Sequence, residues 1–261
     1  MHHEFWLVTT FNKIFGSAVA AALAPLGYHL DPAHAVPDYL VMSLLVVIGL
    51  TALCALVKSQ LSVENPGKLQ ILMEDAVSFV LGVLREYIGP KGDRYLPLVA
   101  TIGLFIFTAN AIGKIPGLMS PTANINVTAG CAITAWVFYH LNGLREQGLF
   151  HYVLHFMTMP GAPWWMFIII LPIEIISHLS RVMSLALRLF GNIYGEEMVV
   201  FVIAGVAPLL APLPFMVLGI ITGSLQAFIF MLLTIIYLAA AVHTEHEHEA
   251  HAHGGEAHAA A

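Results

Sequence analysis

The sequence predicts an all-α, polytopic membrane protein: about five membrane helices plus an amphipathic helix, with the last two membrane helices forming a long, steeply tilted hairpin. Three observations lead there. Hydrophobic residues make up 59% of the 261 and charged residues only 10%, against about a quarter charged in a soluble domain. The apolar residues gather into runs long enough to cross hydrocarbon. Lys and Arg concentrate between those runs rather than within them. The chain divides into an N-terminal interfacial segment (1–37), an integral membrane domain (38–242) and a His/Glu-rich disordered tail (243–261).

Ile14 to Leu26 is an alanine-rich run of thirteen residues, too short to cross about 30 Å of hydrocarbon. Ser17-Ala18-Val19-Ala20 imitates a signal-peptidase site, but His2, His3 and Glu4 stand where a signal peptide carries Lys or Arg. An interfacial helix is the reading, with a cleaved signal as its alternative. Tyr39 to Val57 is the first span, introduced by Pro37-Asp38 and closed by Lys58. After the turn at Asn65-Pro66-Gly67, Lys68 to Ile88 sets Leu72, Ala76, Phe79 and Val83 against Glu74, Asp75, Arg85 and Glu86. That pattern predicts an amphipathic helix lying on the membrane or returning shallowly into it. Leu96 to Ile112 is the second span and Val127 to Leu141, or slightly beyond, the third. Lys114 to Asn126, with Pro116-Gly117 and Pro121-Thr122, is a loop.

Five of the ten basic residues (Lys58, Lys68, Arg85, Lys91, Arg94) lie between the first two spans. The positive-inside rule makes that segment cytoplasmic, the N-terminus external and the C-terminus cytoplasmic. Pro163 to Val206 then holds Pro172 near its start and no strong breaker beyond it. Some forty helical residues reach about 60 Å, twice the hydrocarbon thickness. Pro208 to Pro214 predicts a turn, and Phe215 to Val242 a second arm of about 40 Å. Either the first arm is broken or both lie obliquely. The hairpin is preferred, because polar residues run along the whole first arm.

Those residues are Glu174, His178, Arg181, Ser184, Arg188, Asn192, Glu196 and Glu197. An ionised side chain at mid-bilayer costs about 2.5–3.5 kcal/mol or more, so several require partners, water or a task. Glu174, Arg181 and Arg188 are heptad-spaced and fall within about 40° on a regular helix. Ser184 and Asn192 flank Arg188 by one turn each. Glu197 projects about 180° from Arg188, so the two face different surroundings. A fixed ion pair of Arg188 with Glu174 or Glu197 is the bland alternative. Glu174 and Arg181 could instead snorkel to the interface, and Glu196 could face water or lipid headgroups. On the second arm Gln226 and Tyr237 share a sector near Gly219 and Gly223, a small-xxx-small pair that admits a close helix. An amide within hydrocarbon must find a partner.

Ser184-Leu185-Ala186-Leu187-Arg188-Leu189-Phe190-Gly191-Asn192-Ile193-Tyr194-Gly195-Glu196-Glu197 resembles the hallmark segment of the a subunit of F-type ATP synthases. Leu225 to Leu238 resembles that family's last helix, and Pro121 to Thr128 its third block, all in the family's order. The resemblance implies a proton-translocating stator with two aqueous half-channels meeting a ring of c subunits. It implies that Arg188 is the essential ring-facing arginine, always charged and able to draw the proton from an approaching carboxylate. Glu197 aligns with the acid of the outer half-channel, and Gln226 with the glutamine that approaches the arginine. Asn192, Ser184, Tyr237, Glu174 and His178 align with polar positions along the path. Some bacterial relatives carry a histidine seven residues before the glutamine, where this chain has Gly219. The implied partners are the c-ring, the b-subunit stator stalk, the whole ATP synthase complex and the lipid bilayer of a bacterial inner membrane.

No nucleic acid and no cofactor is expected, and no metal site. The chain has no Gly-rich phosphate loop ending in Lys-Ser/Thr, so no nucleotide chemistry of its own is expected. Cys54 and Cys131, both in apolar stretches, read as packing thiols. A polytopic metal transporter is the rival reading, fed by six histidines between His243 and His258. It wants paired ligands inside the spans, where only His140 and His178 qualify, and their positions suggest they are far apart. A purely structural assembly subunit is the third reading.

Overall fold

The computed structural model describes residues 6–23, 25, 31, 34–115, 117–148, 167–207 and 211–242, and the tail from 243 lies outside them. The regular elements among them are all helical: α1 (Trp6–Leu23), α2 (Asp38–Ser59), α3 (Lys68–Ile88), α4 (Leu96–Ile112), α5 (Ile125–Gln147), α6 (Phe167–Val206) and α7 (Pro212–Val242). Short 3-10 turns at Pro90–Tyr95 and Pro121–Ala123 precede α4 and α5. Four helices, α2, α4 with its leading turn, α6 and α7, are long and apolar enough to cross a membrane. The fifth expected span, α5, has 23 residues but is less apolar, because its last turns carry His140, Asn142, Arg145 and Glu146.

The first arm of the hairpin is one unbroken helix of 40 residues, Pro172 included. A helix about 60 Å long must lie obliquely in hydrocarbon about 30 Å thick. The expected Pro208–Pro214 turn is shorter than its prolines suggest, because α7 already begins at Pro212. Proline suits the first turn, whose N–H groups have no helical acceptor to lose. Near the N-terminus the helix starts at Trp6 rather than Ile14. Asn12 pins it there, exchanging two hydrogen bonds with the Val36 backbone at 3.1 and 3.0 Å. Val8 packs with Val41 and Met42 of α2.

α7 is the centre of the bundle and packs against α3, α4, α5 and α6. Between helices in lipid, close packing and small residues substitute for hydrophobic collapse. Gly223 of α7 meets the Cβ of Asn110 on α4, which would lie 3.3 Å from a Cβ placed on the glycine. Ile106, Leu185, Leu189, Ile193 and Phe230 form the mid-bundle core.

α3 spans the expected residues, and a further apolar row packs inward. Val80, Leu84 and Ile88 are buried against Met231, Ile235 and Leu238 of α7, whereas Leu72 and Phe79 are 61% and 52% exposed. The apolar face is broader than one heptad row, and docking on α7 selects the row that faces it. Positive φ at Gly89 (83°) lets the chain leave α3 sharply, and Arg85 closes the corner with two bonds to Asp93 at 2.8 and 2.7 Å. Leu84→Ala should therefore destabilise the protein by about 2–5 kcal/mol, while Leu72→Ala changes little. Thermal unfolding of the purified complex, followed by loss of this subunit, checks the contrast.

Candidate functional site

Polar residues gather at two levels of α6, with Arg188 between them. Ten residues separate His178 from Arg188 and nine separate Arg188 from Glu197, so each level lies about 14–15 Å along the axis from the arginine.

The first level is at the end of the bundle where α3 docks. His178 shares a hydrogen bond with Glu174 (3.1 Å) and another with the Tyr139 hydroxyl of α5 (3.2 Å). The His140 and His178 rings lie 5.0 Å apart between centroids. This corrects the expectation that the two are distant: successive turns of α5 and α6 pack side by side. Arg181 lies over the Tyr237 ring at 5.3 Å. The expected stripe of Glu174, Arg181 and Arg188 therefore splits. Arg181 turns toward α7, Glu174 bonds back to His178 on its own helix, and Arg188 does neither. Among the described residues, no group of three or more His, Cys, Asp or Glu side chains could hold a metal.

The second level is at the opposite end. Glu197 accepts a hydrogen bond from the Ser120 backbone N–H at 3.2 Å. Ser120 sits in a buried chain that ties the loop to two helices. Its hydroxyl bonds the Ala109 carbonyl (2.9 Å) and Thr122 (2.7 Å). Thr122 donates to Asn110 (2.6 Å), which donates to the Gly223 carbonyl (2.9 Å). Glu196 forms an ion pair with Lys114, not the open contact with water or headgroups considered for it. The Glu196 carboxylate occupies the place where a Cβ on Gly219 would stand. A cavity of about 670 Å³ opens here, lined by Asp38, Lys114, Glu196, Glu197, Met119 and Phe201, among others.

Arg188 lies on the exposed flank of α6 with Ser184, Gly191 and Asn192. It donates to Ser184 at 3.5 Å, and among the described residues no carboxylate is within ion-pairing distance of it. The fixed-ion-pair alternative is thereby set aside: Glu174 is engaged with His178 and Glu197 with Ser120. Gln226, 2% exposed, reaches the stripe one turn past the arginine, where its amide oxygen accepts from Asn192 at 2.9 Å. Its Nε2 is buried without a partner. Asn110, Ser120, Lys114 and Tyr139 went unmarked in sequence because their significance lies in contacts between helices. The resemblance of Pro121–Thr128 to a family block was the only local signal near them.

The fold and site together define a polytopic membrane protein whose longest helix carries one uncompensated cation between two polar levels. The chain belongs to the ATP synthase A chain family, whose profile matches residues 39–239. It is 43% identical to ATP synthase subunit a 2 of Syntrophotalea carbinolica over 250 residues, covering 94% of this chain and all of that one. It is 40% identical to ATP synthase subunit a of Geobacter sulfurreducens over 246 residues, with the same coverage. Pelobacter propionicus ATP synthase subunit a 3 is 43% identical over 247 residues.

Asn110→Ala should lower stability by about 1–3 kcal/mol, since it removes two buried hydrogen bonds. Asn192→Ala, which removes the one bond to the buried Gln226 oxygen, should cost about 1 kcal/mol. Thermal melting of the two variants in the same detergent measures the difference.

Proposed function

We propose that the chain is the proton-translocating stator subunit of an ATP synthase membrane sector in a bacterial inner membrane. It couples proton flow to ATP synthesis and has no nucleotide site of its own. The carrying observation is Arg188: a permanent charge on the exposed flank of an apolar helix, bonded among the described residues to Ser184 alone. A guanidinium in that position needs an anionic partner from outside the chain. A ring of c subunits, each presenting one carboxylate, supplies such a partner.

The two polar levels serve as half-channels. Glu197, with the cavity beside it, is the outer one. Glu174, His178 and Tyr139, with His140 adjacent, form the inner one, on the side of α3 and the cytoplasmic C-terminus. A carboxylate passing Arg188 loses its proton to one side, because the adjacent cation favours its ionised form. The same charge blocks direct proton transfer between the levels, about 29 Å apart along the helix. Asn192 and Gln226 line the passage beside the arginine, and Tyr237 with Arg181 borders the inner level. The b-subunit stalk holds the subunit against the turning ring.

Arg188→Ala in the intact complex should reduce ATP-driven acidification of inverted vesicles roughly 100-fold or more, while the catalytic head continues to hydrolyse ATP. Unchanged pumping would instead support a purely structural subunit. Co-purification of a c-ring and a catalytic head with the tagged chain tests the partners, and recovery of this subunit alone would overturn the assignment.

A further inference from the structure

Two adjacent acids, Glu196 and Glu197, share the outer cavity with Asp38 of α2 and Lys114 of the loop after α4. Both are half-buried, and sequence position alone gives them equal claims to carry protons. Their surroundings differ. Glu197 takes its hydrogen bond from a neutral backbone donor, Ser120 N–H, while Lys114 and Glu196 act on it only at longer range. Glu196 is gripped by the Lys114 ammonium, and both side chains are nearly enclosed, at 14% and 11% exposure. Its second oxygen is buried with no hydrogen-bond partner. The carboxylate fills the space above Gly219, where any side chain would collide with it.

We infer that Glu196 is not a proton carrier but the fixed counter-ion of Lys114, and that Lys114 is a positioning residue reserving Glu197 as the proton-exchanging acid of the outer path. The inference rests on the outer path proposed above. A relay group must alternate between protonated and ionised forms and must have a neighbour to receive its proton. Protonating Glu196 would strand the Lys114 ammonium in a nearly closed site, which is a costly arrangement. The unpartnered oxygen faces no acceptor to continue a transfer. The absence of a side chain at 219 is what makes the arrangement possible, since it gives the carboxylate room to turn toward Lys114. The pair also joins the loop to α6 beside the Ser120–Glu197 bond.

The test is a charge-pair cycle in the whole ATP synthase reconstituted into liposomes, reading ATP-driven acidification across external pH. Lys114→Met and Glu196→Gln, each leaving one buried charge alone, should both lower pumping roughly tenfold. In Lys114→Met the pH profile of pumping should depart from the parent's. The double variant Lys114→Met/Glu196→Gln removes both charges and should recover pumping to within about twofold of the parent, with its pH profile. Lys114→Arg keeps the pair and should behave as the parent. If the double variant stays as impaired as Glu196→Gln, Glu196 carries protons and the inference fails. It fails equally if the single variants pump normally. Glu197→Gln separates this from the larger reading. Full pumping in Glu197→Gln would remove the outer path itself, whatever the cycle shows.

Discussion

An ion inside a bilayer must be compensated, and on α6 that requirement is met for every charge but one. Glu174 has His178, Arg181 has the face of Tyr237, Glu196 has Lys114, and Glu197 has a backbone donor. Arg188 has a serine hydroxyl at the outer limit of a hydrogen bond. At about 2.5–3.5 kcal/mol or more for an exposed cation in hydrocarbon, the free chain carries a deficit that only an anionic surface or water can offset. The compensated charges find partners within the chain, on α6 itself, on α7 and in the loop after α4, and Arg188 faces outward. The subunit's need for a partner is thus written in which groups it leaves unsatisfied.

A single rigid element keeps the charges in order. Because α6 is unbroken, the spacing of its polar residues is fixed at about 1.5 Å per residue, and neither polar level can slide toward the arginine. α7 holds α4 and α6 in place through features that would each be a liability alone. Gly223 exposes a carbonyl that Asn110 takes up, and Gly219 leaves a space that Glu196 fills. Gln226 sits fully inside with one amide atom bonded to Asn192 and the other unpaired. Small residues and amides are costly in an isolated membrane helix, and here they locate the contacts that set the geometry.

What sequence could reveal followed from periodicity and hydropathy, both local properties. The spans α2 and α4, the continuous first arm and the opposed directions of Arg188 and Glu197 all follow from counting residues along one helix. Contacts between helices do not. His140 and His178 are 38 positions apart, and nothing within either segment reports that α5 and α6 place their rings together. The row of α3 that packs on α7 is hidden for a related reason: several apolar rows share an amphipathic helix, and only the partner decides which one is buried. The proline-rich turn shortened because proline both ends one helix and begins the next. Arg188 needed no such partner information. Its anomaly is its own charge in an apolar sequence.

The Gly219 position shows why a motif read one residue at a time misleads. Taken alone, glycine in place of a histidine removes a proton carrier from the outer path. In the structure the missing side chain and the Glu196 carboxylate are complementary volumes on facing helices, so the two positions form one unit. A third residue, Lys114, lies in a different segment and makes the acid half of an ion pair, while the neighbouring Glu197 is held by a neutral N–H. The polar level is therefore a property of the loop, α6 and α7 together, and a substitution at any one of them changes the meaning of the other two.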